Sequence, residues 1–190
     1  MRSAKYFIRD FCWSFVLISG AVFAFILILD PYMNIGLFEL AGRAPVSQNQ
    51  RFAYPALARS RKFNSLVLGT STSRLLDPEG LSNDFYRFEN LSMNSATAYE
   101  QVKIFRLFAL NHQSPKAVVF GVDGTWCQSP GKVERLTFRE FPEWMYDDSL
   151  WNDIPYMFND KALENAVRML QLLLGLRQAK YRLDGFRDFT

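Results

Sequence analysis

Phe11 to Leu29 is a run of nineteen residues without a charged side chain, bounded by Asp10 and Asp30. At about 1.5 Å rise per residue it spans roughly 28 Å as a helix, which matches the hydrocarbon core of a bilayer. Trp13 near its start and Tyr32 just past its end sit where interfacial aromatic residues belong, which favours a membrane span over a buried core helix. The run is longer than the apolar region of a usual signal peptide and lacks a clear small-x-small cleavage site at its end, so it reads as an uncleaved anchor at 11–29. Arg2, Lys5 and Arg9 precede it, and no Lys or Arg follows until Arg43. The positive-inside bias then places residues 1–10 in the cytoplasm and everything after Asp30 outside, as in a single-pass protein of a cell inner membrane.

The rest of the composition is that of a folded chain. Of 190 residues 49% are hydrophobic and 16% aromatic, and 22 basic side chains stand against 19 acidic ones. A net charge of +3 from scattered residues implies no nucleic acid or other polyanion as partner. Two cysteines, one of them Cys12 inside the apolar run, support neither a disulfide framework nor a zinc site, and no motif implies a cofactor.

Residues 30–62 mix Gly36, Gly42, Pro45 and Pro55 with Arg43, Arg51, Arg59, Arg61 and Lys62 and show no sustained apolar period. They read as a neck whose charges are solvated. From Phe63 short apolar runs alternate with longer amphipathic stretches, the pattern of βαβ units. Strands are expected at Ser65–Leu68, at Tyr86–Leu91 and, buried, at Ala117–Val122; helices at Thr97–Leu110 and from a cap at Asp160 onward. The fold class is α/β with a mainly parallel sheet, one domain over 63–190 with an aromatic insertion near 124–158.

In open parallel sheets the ligand crevice lies beyond the carboxyl ends of the strands. Three loops therefore carry the candidate chemistry: Gly69-Thr70-Ser71-Thr72-Ser73-Arg74, Asn90-Leu91-Ser92-Met93-Asn94-Ser95-Ala96 and Asp123-Gly124-Thr125-Trp126. A hydroxyl just past Gly69 at a helix N-terminus would have free backbone N–H groups beside it, suited to an oxyanion. The same small polar residues also serve simply to cap helices and close turns, their commonest role. Arg74 and Trp126, which end the first and third loops, are the candidate substrate contacts.

The order of these loops resembles the SGNH (GDSL-like) hydrolase superfamily, in particular its membrane-anchored extracytoplasmic branch of D-alanyl-lipoteichoic acid biosynthesis and polysaccharide O-acetyltransferase-like proteins. Gly69-Thr70-Ser71 looks like the first block and makes Ser71 the nucleophile the resemblance implies. Asn90 to Ala96 looks like the second block, with Ser95 or Asn94 where glycine is usual. Gly121-Val122-Asp123-Gly124 occupies the third, with Asp123 in place of the oxyanion asparagine, where a carboxylate opposes developing negative charge unless protonated. The resemblance implies a flavodoxin-like three-layer domain acting on acyl esters of a cell-envelope polysaccharide, with the lipid bilayer, envelope glycan and membrane proteins as partners.

Serine chemistry needs a general base, and the family's late Asp-x-x-His is absent. The one histidine, His112, follows the amphipathic helix and belongs at the amino edge of the sheet, in a surface loop away from Ser71. Three visible strands fall short of the usual five to six or so, so the domain is expected to be incomplete, with the Asp/His segment downstream. The alternatives are a non-catalytic relative that binds glycan or helps assemble an envelope complex, and a structural membrane protein without a small-molecule site. For the insertion, in which Trp126, Phe138, Phe141, Trp144, Tyr146, Trp151, Tyr156 and Phe158 interleave with Asp147, Asp148 and Asp153, two readings stay open. It is a sugar-binding lid, or a loop packed on the core or the membrane interface.

The topology has a direct test. Alkaline phosphatase fused after Lys62 should be active in cells, and an active cytoplasmic β-galactosidase fusion at the same point would refute the orientation.

Overall fold

The apolar run lies inside a helix longer than itself. In the computed structural model, which describes residues 4–38, 40–127 and 136–187, helix α1 spans Ala4–Leu29 and is long and apolar enough to cross a membrane. Large side chains from Tyr6 to Ile18 are exposed, whereas Ile26 and Leu29 are buried in the core of the domain that follows. Val22, Phe23 and Phe25 pack partly against the same core. Helix α5, Asp160–Leu173, lies alongside α1, and Phe158 meets Phe23 edge to face at 5.6 Å. Its N-cap is Asn159, whose Oδ1 accepts from Ala162 N at 2.8 Å, rather than the expected Asp160.

The expected solvated neck is instead folded into the domain. Asp30 is fully buried, and its carboxylate accepts the backbone N–H groups of Asn34, Ile35 and Gly36 at 2.9–3.1 Å. Arg43 donates to the carbonyls of Leu29 and Asp30 at 2.8 and 2.6 Å, so the orphan carbonyls of the helix end have a cationic partner. Asn49 caps helix α2, Gln50–Ala58, which buries Phe52, Tyr54 and Leu57 and packs on helix α4, Ala98–Asn111. Pro55 in α2 has no N–H for the Arg51 carbonyl. The Tyr146 hydroxyl donates to that carbonyl at 2.9 Å. Of the basic residues that suggested a linker, Arg61 and Lys62 are exposed, but Arg43, Arg51 and Arg59 are matched inside: Arg59 donates to the carbonyls of Met145 and Asp147, both at 2.9 Å, and to Asn34, which in turn donates to buried Asp153.

Three parallel strands, β1 (Ser65–Leu68), β2 (Phe88–Asn90) and β3 (Ala117–Phe120), form a sheet in the order β2-β1-β3. The chain is therefore α/β with a parallel sheet. One helical turn, α3 (Pro78–Leu81), lies between β1 and β2, and α4 connects β2 to β3. Thr97 starts α4 with a capping box completed by Glu100. Ile104, Leu107 and Phe108 of α4 share a core with Leu66 and Leu68 of the central strand.

The expectation that the third strand is buried does not hold. Val118, Val119 and Phe120 are 40, 37 and 44% exposed, although the apolar sequence is that of an interior strand. Among the described strands β3 pairs with β1 alone, which leaves it an edge. Apolar composition alone cannot separate an edge strand from a central one, because it records what a strand needs covered rather than what covers it.

Leu66 is in register with Glu89 and Val118, so all three point to one face of the sheet. Glu89 is fully buried there with neither carboxylate oxygen hydrogen-bonded. Burial, reinforced by the charge of Asp184, pushes its carboxyl well above the usual range. A folded-state pKa above the unfolded one means that stability present in acid is lost as pH rises through the folded value. Glu89→Gln should therefore match the native chain near pH 4 and exceed it by at least about 1.4 kcal/mol, the equivalent of one pKa unit, at pH 8. Denaturant unfolding in detergent micelles at the two pH values checks this.

Candidate functional site

Because the strands are parallel, the three expected loops leave the same edge of the sheet, and backbone bonds continue the ladder into them. Leu91 N donates to Val67 O at 2.9 Å, Met93 N to Gly69 O at 3.1 Å and Gly121 N to Leu68 O at 2.8 Å. Gly69 and Gly121, at the ends of β1 and β3, leave the space that the Ser73 hydroxymethyl fills. A Cβ on either glycine would run into Ser73 Oγ. Asn90, the last residue of β2, donates from Nδ2 to the carbonyls of Ser73 and Leu76, both at 2.8 Å, and accepts from Ser92 N at 3.0 Å. The buried Gln101 of α4 accepts from Gly69 N at 2.9 Å.

Side-chain contacts further tie each pair of loops. Thr70 donates to Asp123 Oδ2 at 2.9 Å, joining the first loop to the third. Arg74 Nη1 donates to Asn94 Oδ1 at 2.5 Å, joining the first to the second. Trp126 Nε1 donates to Ala96 O at 2.8 Å, joining the third to the second, while its ring meets Phe120 edge-on at 5.6 Å. Of the residues read from the sequence, Ser71 and Ser95 are exposed, Asn94, Asp123 and Trp126 are half-buried, and Arg74 is buried with its guanidinium turned to Asn94. Ser95 has φ +52°, a left-handed conformation that favours glycine. The helix expected directly after Gly69 is only a 3₁₀ turn, Ser73–Leu75, whose N-cap Thr72 makes no side-chain bond. The loop therefore presents Ser71 without a long helix dipole behind it.

A residue assigned to the neck forms a buried ion pair at this edge. Arg51 and Glu100 are completely buried and form a two-pronged ion pair, Nε to Oε1 at 3.0 Å and Nη2 to Oε2 at 2.6 Å. The same guanidinium donates to the Asn94 carbonyl from both terminal nitrogens at 3.3 Å. Glu100 also accepts from Thr97 N at 3.0 Å and from Thr137 N and Oγ1 at 3.3 Å. Glu100 was legible as the far end of a Thr-x-x-Glu capping box. Arg51 carried no local signal, because its partner lies 49 residues further along the chain.

No base joins the loops from this chain's histidine. His112 caps the far end of α4, between Phe108 and the start of β3, with its ring stacked on Phe108 at 3.9 Å. Its nitrogens lie 2.8 and 3.1 Å from the carbonyl oxygens of Phe108 and Ser60. It is half-buried rather than a surface loop residue, but it lies at the amino edge as topology required. Among the described residues no cluster of His, Cys, Asp and Glu could hold a metal ion. The aromatic insertion divides in two. Phe141, Trp144 and Tyr146 pack on the core, with Phe141 stacked on Tyr146 at 4.4 Å, while Trp151, Tyr156 and Phe158 stay exposed beside α1.

Removing one member of a buried ion pair strands the other in a low-dielectric interior, which costs about 3–5 kcal/mol. Arg51→Ala should lower unfolding free energy by that amount, and the double variant Arg51→Met with Glu100→Leu should recover part of it. Denaturant unfolding of the three chains checks the ordering, and a double variant less stable than Arg51→Ala would contradict it.

Comparison with known proteins finds no matching family model, no matching curated protein and no matching solved structure.

Proposed function

We propose that this is a membrane-anchored, extracytoplasmic α/β protein whose carboxyl-edge crevice acts on acyl esters of a cell-envelope polysaccharide. Ser71 is the nucleophile in this reading, and its general base comes from polypeptide docked against β3. The observation that carries the reading is the edge itself: an exposed Ser71 follows Thr70, which is held by Asp123, in a loop that is clamped to its neighbour through Arg74 and Asn94. The exposed apolar strand β3 supports the second half, since a parallel strand is normally covered on both faces. Arg2, Lys5 and Arg9 before α1 support the orientation.

The chemistry follows from proton accounting. Ser71 must lose its hydroxyl proton as it attacks the ester carbon, and an alcohol with no acceptor stays a weak nucleophile at neutral pH. Asp123 accepts from Thr70 and stands where negative charge would develop, which makes it a poor substitute. A second reading, a non-catalytic glycan-binding or assembly protein, is favoured by the lack of a histidine at this edge.

Acetate release from an O-acetylated oligosaccharide separates the two. The full chain in detergent should equal its Ser71→Ala variant, because a general base contributes about 10² to 10⁴ in rate. Added imidazole should open a Ser71-dependent difference by serving as the missing acceptor. No difference with imidazole rejects the ester-cleaving reading in favour of binding, and Ser71-dependent release without imidazole rejects the missing-base argument.

A further inference from the structure

The domain grips α1 well before the helix ends. Pro155 and Phe158 form an apolar groove with Ser19, Gly20 and Phe23, and from Val22 onward α1 contributes to the core. Gly20 precedes Leu29 by nine residues, about 14 Å along the helix axis. The charge-free part of α1 left clear of the domain, Phe11 to Ile18, is therefore only about 12 Å long, less than half of a hydrocarbon core of about 30 Å. If α1 crosses a bilayer, lipid must reach the flank of the domain as well.

That flank is apolar and aromatic. Trp151, Tyr156 and Phe158 are 76, 54 and 53% exposed, an unusual state for three large rings within eight residues. The 3₁₀ segment Trp151–Met157 contacts α1 directly, and Phe158 stacks edge-on against Phe23. Tyr156 is braced from behind by Trp144, stacked at 5.1 Å, so the ring is held outward by the core. Charged groups resume at once, with Asp160 and the exposed Lys161–Glu140 ion pair. Aromatic rings next to a membrane helix, with charges immediately beyond, are what the boundary between acyl chains and headgroups selects.

We propose that Trp151–Phe158 is a membrane wedge, inserted among the lipids of the leaflet on the domain's side of α1. It makes up the length that α1 loses to the core and seats the domain in the bilayer surface rather than above it. The proposal rests on the reading of α1 as a membrane helix, and the test keeps the two apart.

The full chain is reconstituted into nanodiscs of phosphatidylcholine with or without lipid brominated near the headgroup end of its acyl chains. The emission belonging to Trp151 is the difference between the native chain and Trp151→Phe; that of Trp13, in α1, is the difference from Trp13→Phe. A Phe158→Trp variant adds a reporter at the other end of the segment. Brominated lipid should remove emission at all three positions. Quenching of Trp13 without quenching at position 151, or without quenching at 158, overturns the wedge while leaving α1 in the membrane. Emission shielded from aqueous iodide yet untouched by brominated lipid would mean that protein covers the flank, and also overturns it. An unquenched Trp13 overturns the membrane helix and the wedge together.

Discussion

The buried pair of Arg51 and Glu100 holds the carboxyl edge together. Two charges taken from water lose several kcal/mol of hydration each, and only close, two-pronged geometry with every remaining polar atom engaged compensates. That requirement is nearly met here. Glu100 receives Arg51, the Thr97 backbone and Thr137, while Arg51 spends its remaining donors on the Asn94 carbonyl. One ion pair thus fixes α2 to α4 and positions the loop after β2. Through Asn94 and Arg74 it also reaches the loop that presents Ser71.

The same economy joins the apolar helix to the domain. Asp30 ends α1 inside the protein, where it serves three backbone N–H groups and lies beside Arg43. A charge that looks like the aqueous boundary of a span is a buried turn-former. Its position in the sequence is therefore a poor guide to where water begins. Because Ile26 and Leu29 are core residues, the apolar helix and the domain form one packed unit, without the slack a linker would allow.

Two features of the sheet itself lack compensation within the described residues. β3 exposes an interior-type sequence, and Glu89 carries a carboxyl into the core face without a hydrogen bond. Both lower stability relative to a fully covered, fully satisfied sheet, by leaving apolar surface in water in one case and by desolvating an acid in the other. Neither lies in the loops around Ser71, although there too the buried Ser92 Oγ makes no hydrogen bond.

Local physics was legible in the sequence. Nineteen charge-free residues announce a long apolar helix, Ser65–Leu68 a strand closed by Gly69, and Thr97 a helix start, because each depends on the residues immediately around it. The parallel sheet followed from alternation, and with it the placement of the loops that carry Ser71, Asn94 and Asp123 at one edge and of His112 at the other. Tertiary structure alone decided the rest. Arg51, Arg59 and Arg43 read as solvated charges because charge normally stays in water, and only partners 49, 86 and 14 residues away make their burial tolerable. Which strand is an edge, which aromatic rings enter the core and which stay outside are likewise matters of what packs against what, information that no short window of sequence contains.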